Sequence, residues 1–190
     1  MSLSIGFSTS GPGLWYATRA TGLVTLLLLT ASVLLGVLTA GRFASQRWPR
    51  FLSQGLHRNI SLLVLVFLAL HVGTTVIDTY TSISLTAAFI PFTSSYKTVW
   101  LSLGAVACDL LLALVVTSLL RKRIGHRPWR LVHWLAYACW PVAVAHGLGT
   151  GTDRNATWVF SLTIACAASV VVLAAWRIVA GAKGPRLEVQ

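Results

Sequence analysis

Five long apolar runs constrain this chain more than any other feature. They extend from about Leu14 to Ala40, Leu56 to Tyr80, Thr98 to Leu120, Arg130 to Gly149 and Ala156 to Ala180. Crossing the hydrocarbon core of a bilayer takes roughly 20 mostly apolar helical residues, and each run meets or exceeds that length. The links between them are short, and the alternation of a membrane β-barrel is absent. The expected fold is therefore an all-α integral membrane protein with five transmembrane helices. Residues 14–180 would form the membrane domain, between an N-terminal segment 1–13 and a tail 181–190. With 56% hydrophobic and only 10% charged residues, the chain has too little polar surface for most soluble folds.

Charge sets the expected orientation. Fifteen Lys and Arg face four Asp and Glu, a formal net charge of +11, and the basic residues gather between the apolar runs. Arg42, Arg47, Arg50 and Arg58 lie on the same side as Arg121, Lys122, Arg123, Arg127 and Arg130, together with Arg177, Lys183 and Arg186. Only Arg19, Lys97 and Arg154 fall on the other side. The positive-inside rule then places the N-terminus outside and the C-terminus in the cytoplasm of a multi-pass plasma-membrane protein. Clumped basic charge of this kind meets lipid headgroups, so no nucleic-acid partner is expected. Residues 1–13 carry no positive signal-peptide n-region, and the first run is expected to remain as a membrane span. Cys108, Cys139 and Cys166 each sit inside an apolar run, with no CxxC pair and no CxxCH for covalent haem.

Chemistry enters with histidine. Four of the five histidines form two pairs, His57 with His71 on the second run and His133 with His146 on the fourth. Thirteen residues separate the first pair and twelve the second, so each pair spans about 20 Å along a helix at 1.5 Å per residue. Each helix thus carries one histidine near either face of the membrane. Ionisable groups are costly there, and a neutral imidazole is a good iron ligand. Two such helices side by side can clamp two stacked b-type haems. His57 with His133 would hold the inner haem and His71 with His146 the outer, giving iron ligands at all four positions. A single buried histidine is more often a hydrogen-bonded core residue, and only the paired depths favour ligation. His126, among Arg123, Arg127 and Pro128, is expected in headgroups or solvent.

Helical angles fit one pair better than the other. At 100° per residue, fourteen steps return within about 40° of the same face, whereas thirteen steps miss it by about 140°. Pro141 lies between His133 and His146, so a kink with local retwisting there is expected to bring both imidazoles inward.

Other polar residues have two readings each. Asp109, mid-span on the third run, would relay protons or bond a neighbouring hydroxyl. Asp78 would order the outer rim with Tyr80. Gly73, Gly104, Gly147 and Gly149 would admit a flat porphyrin or another helix. Arg58 and Arg130 flank His57 and His133, where they would pair inner haem propionates or serve topology alone. Trp15, Tyr16, Trp100, Trp129 and Trp158 read as interface anchors, while Trp134, Tyr137 and Trp140 would pack on haem edges or in the core. The link Thr81 to Lys97, with Pro91, is expected to form a partly ordered cap.

These residues resemble the ferric reductase-like transmembrane domain family, which includes the NADPH oxidases, the yeast-type ferric reductases and the haem subunit of the bacterial periplasmic methionine sulfoxide reductase system. The likeness rests on the unequal histidine spacings, on Leu56-His57-Arg58 and on Trp129-Arg130-x-x-His133, and covers Trp15 to Trp176. Short actinobacterial membrane proteins are similar around Pro91 to Tyr96 and His146 to Asp153. Quinol-oxidising b cytochromes usually space their second pair at least as widely as the first, so they fit less well. The resemblance implies that Arg19 lies near the outer haem, holding a propionate, although an arginine at that depth also snorkels to headgroups. Family oxidases usually carry six helices and a cytoplasmic flavin and nicotinamide module. Here there are five runs, no GxGxxG and no Walker A, and Pro91, Phe92 and Thr93 match a flavin motif only in part. No flavin or NAD(P)H site is expected within the chain.

The function expected from these observations is transmembrane electron transfer through two haems b. Electrons would come from a cytoplasmic flavin reductase or quinol and leave to an extracytoplasmic acceptor, in a bacterial membrane. A small proton or divalent-metal transporter built on the histidines and Asp109 is a different class of reading. A haem-bearing assembly subunit without catalysis is a third.

Overall fold

The computed structural model describes residues 12–41, 48–78, 83–151 and 156–182. Segment 1–11, residues 183–190, Arg42, Arg47, Tyr80, Thr81, Asp153 and Arg154 lie outside the described residues. So does the greater part of the expected N-terminal segment and tail.

The described chain is helical, with no strand among the described residues: α1 (Pro12–Ala40), α2 (Arg50–Ile77), a 3-10 turn (Leu85–Ala88), α3 (Thr98–Leu119), α4 (Arg121–Ile124), α5 (His126–His133), α6 (Ala136–Thr150) and α7 (Thr157–Ala182). Five helical segments are long and apolar enough to cross a membrane, the fourth being α5 and α6 taken together over His126–Thr150. Their outer faces suit an apolar solvent. Val66, Val116, Val171, Val172 and Ile178 are exposed, a surface that hydrocarbon would cover better than water.

The chain divides into two compact units. Met1–Leu26 and Leu65–Thr152 form the first, so it holds the start of α1, the end of α2 and all of α3 to α6. Its main packing is α3 against α6, where Ala105, Cys108, Cys139 and Trp140 are buried. The Cys139 thiol donates to the Ala107 carbonyl at 3.4 Å. Leu27–Val64 and Asp153–Gln190 form the second unit, in which Val37, Ser53 and Val64 are almost wholly enclosed.

The fourth run differs from its expected form. Helix α6 continues through Pro141, and the interruption lies earlier, at Trp134 and Leu135 between α5 and α6. There the amides of Leu135, Tyr137 and Ala138 bond three residues back, to Val132, Trp134 and Leu135. Pro141 has no N–H for the Tyr137 carbonyl, and the chain tightens in the turn before it. Each step wound as a 3-10 helix turns about 20° further than an α step. A few such steps recover roughly half of the 140° mismatch. Gly125, at φ 84°, makes the turn between α4 and α5 that a side chain would resist.

Candidate functional site

Three of the four paired histidines are held in the same way. His71 donates from Nδ1 to the Thr18 carbonyl at 2.8 Å, and His146 donates to the Trp100 carbonyl at 2.9 Å. In the second unit His57 donates to the Ser32 carbonyl at 2.9 Å. A carbonyl only accepts, so in each neutral ring the proton sits on Nδ1 and the lone pair on Nε2. This tautomer, fixed by a backbone acceptor, is the one in which a metal-ligating histidine presents Nε2 and gains basicity.

Each seat has a second part. Four residues beyond the accepting carbonyl stands a glycine: Gly22 after Thr18, Gly36 after Ser32 and Gly104 after Trp100. A Cβ at Gly104 would lie 2.5 Å from His146 Cε1, one at Gly22 3.0 Å from His71 Cε1, and one at Gly36 3.5 Å from His57 Cε1. A third part fixes the histidine's own helix. Ser61, Thr75 and Thr150 each donate to the carbonyl of the histidine four residues earlier, at 2.7, 2.6 and 2.7 Å. Ser32 Oγ also lies 2.8 Å from Ser61 Oγ.

Within the first unit His71 and His146 face each other, with ring centroids 6.4 Å apart and planes at 80°. Neither side chain makes a further hydrogen bond among the described residues. Two imidazoles bound end-on to one iron would stand about 6.2 Å apart, from metal–nitrogen bonds of about 2.0 Å and ring radii of about 1.1 Å. The separation of the pair is close to that, so His71 and His146 are the residues that would hold a haem iron. No cluster of three or more His, Cys, Asp or Glu is placed to hold a metal ion among the described residues. Two ligands suffice for a porphyrin iron, since the macrocycle supplies the other four.

His133 is arranged differently. It ends α5 and stacks on Trp129, with centroids 4.8 Å apart and planes at 27°. Trp129 in turn carries the Arg121 guanidinium 4.2 Å from its ring centre and donates from Nε1 to Ser118 Oγ at 3.2 Å. His57 and His133 belong to different units, so the expected inner pair is described only one histidine at a time.

The remaining expected residues are placed as follows. Arg19 lies one residue past the Thr18 carbonyl, its guanidinium 4.3 Å from the centre of the Trp15 ring. Arg58, Arg130 and His126 are exposed, and so is Asp109. Asp78 is buried at the end of α2. Trp140 is buried, while Trp134 and Tyr137 are exposed and pack on each other at 5.3 Å. Gly149 lies against the Trp100 ring, whereas nothing comes within 4 Å of a Cβ at Gly73 or Gly147. The cap expected over Thr81 to Lys97 is described from Ile83 onward and includes the 3-10 turn, which packs on α3. Lys97 binds the carbonyls of Gly149 and Thr150 at 3.2 and 3.1 Å, closing the end of α6.

Gly22, Gly36, Thr18 and Ser32 are site residues that histidine spacing alone does not reveal. The signal is in the sequence nonetheless: Gly22 and Gly36 are fourteen positions apart, as are His57 and His71, and Ser61 and Thr75.

A family described as a domain of unknown function (DUF8596) matches residues 13–153. The chain belongs to the DUF8596 family. Its matched region contains all four paired histidines and all three glycine seats, while α7 lies outside it. No curated protein and no solved structure matches the sequence.

Proposed function

We propose that this DUF8596 protein is a dihaem membrane electron carrier of the ferric reductase-like type, passing single electrons between cytoplasmic and extracytoplasmic partners. The observation that carries this reading is the pair His71 and His146, 6.4 Å apart, with both Nδ1 atoms engaged by backbone carbonyls. Bound haem b would supply reversible one-electron chemistry that the amino acids lack. The chain's own part is placement. His71 and His146 would bind the outer haem and His57 and His133 the inner, and the apolar helices would exclude water. Arg19 would be the cation available to an outer propionate, and Arg58 and Arg130 those for the inner one.

Orientation follows from the positive-inside bias: N-terminus outside, C-terminus in the cytoplasm. The donor would then be a flavin reductase or quinol at the inner face, and the acceptor would react at the outer haem edge. The test is the absorption spectrum of the purified protein, oxidised and dithionite-reduced, with haem counted per chain. About two haems b per chain are expected in the wild type and about one in His71→Ala or His146→Ala. A colourless protein would favour the proton or metal transporter, and full pigment in both variants would remove these ligands.

A further inference from the structure

We propose that Gly22, Gly36 and Gly104 are positioning residues for the haem ligands, holding open the carbonyl that aims each imidazole. This rests on the dihaem reading above. In an α-helix the carbonyl of residue i already accepts the amide of residue i+4, which leaves one lone pair. What stands at i+4 decides who takes it. Where i+4 is Ser or Thr, its own hydroxyl can turn back on that carbonyl, as Thr25 does on Thr21, Ser102 on Thr98 and Thr163 on Val159. At Thr18, Ser32 and Trp100 the i+4 residue is glycine, and the lone pair goes to His71, His57 and His146.

The glycines therefore do two things at once. They offer no competing hydroxyl, and they remove the Cβ that would push the ring off its acceptor. The room available is graded. An added Cβ would lie 2.5 and 2.6 Å from Cε1 and Nδ1 of His146 at Gly104, 3.0 Å from both atoms of His71 at Gly22, and 3.5 and 3.8 Å from those of His57 at Gly36. The first distance cannot be accommodated without moving the ring, the second demands a small shift, and the third is ordinary contact. At Gly13 nothing lies within 4 Å.

Alanine is the better helix former, so Gly→Ala strengthens the helices and any loss reports the seat. Four variants, Gly104→Ala, Gly22→Ala, Gly36→Ala and Gly13→Ala, would be purified in detergent. Haem per chain, redox midpoints and the low-temperature EPR of the oxidised protein would then be measured. Near-perpendicular ligand planes, as for His71 and His146, give oxidised low-spin iron a strongly anisotropic signal, which marks the outer haem. Gly104→Ala is expected to fall from about two haems to about one, with that signal lost. Gly22→Ala should keep both haems with the signal and one midpoint displaced, Gly36→Ala should show a smaller displacement of the other midpoint, and Gly13→Ala none. Wild-type values in Gly104→Ala and Gly22→Ala, with two haems in the parent protein, would overturn the seats and leave the dihaem reading standing. A parent protein without haem would overturn both. If Gly104→Ala fails to accumulate, the displaced signal in Gly22→Ala decides.

Discussion

The two ends of the fourth span hold their histidines by different means. At His146 the ring donates to the Trp100 carbonyl, with Gly104 one turn further along α3. Thirteen positions further along α3, the spacing that also separates His133 from His146, stand Ala113 and Thr117. There Thr117 Oγ1 itself donates to the Ala113 carbonyl at 2.7 Å, and His133 instead lies flat on Trp129. One imidazole donates to a backbone carbonyl and the other stacks on a ring face. A backbone acceptor makes an imidazole more electron-rich and stabilises oxidised iron, whereas stacking fixes a plane without changing basicity in that way. The two haems of the proposed carrier would therefore differ in potential.

The comparison can be broken most forcefully by one substitution toward each end of α3. Gly104→Ala should cost about one haem per chain while Thr117→Ala costs none, as read by haem content; equal responses would erase the distinction. Next in size is Trp129→Leu. Aromatic pairs contribute about 0.5–1.5 kcal/mol beyond burial, so one haem should dissociate up to about tenfold faster into a haem-scavenging protein, with the other unchanged. The smallest effect belongs to Lys97→Ala. Losing its contacts to the Gly149 and Thr150 carbonyls should cost about 0.3–1 kcal/mol, a slight fall in the thermal midpoint with haem content intact.

The five spans were legible because a long apolar run has few alternatives in a bilayer. Their boundaries moved little, apart from α2 starting at Arg50 and the fourth span starting at His126. The meeting of His71 with His146 was legible for a like reason, since rise per residue converts spacing directly into height. What escaped was angular. Spacing places the strain of thirteen steps at Pro141, but the relief falls earlier, at Trp134 and Leu135, where the hydrogen bonds shorten to three residues. The seats escaped because their parts lie on different helices. Gly22 and Gly36 read as ordinary small residues until the 14-residue period they share with His57 and His71 is noticed. Asp109 reads as a mid-span polar residue of either role, and that it is exposed is a matter of facing, which hydropathy cannot supply in a span apolar on every side.

The opening two turns of α3 grip α6 at three heights: Lys97 at its last carbonyls, Trp100 against Gly149, and the Trp100 carbonyl with Gly104 at His146. A ring fastened both by its nitrogen and through the end of its own helix has little slack. In the proposed carrier that stiffness would lower the reorganisation each electron transfer must wait for, and it would let movement of the cap next to Lys97 reach the outer haem without passing through lipid.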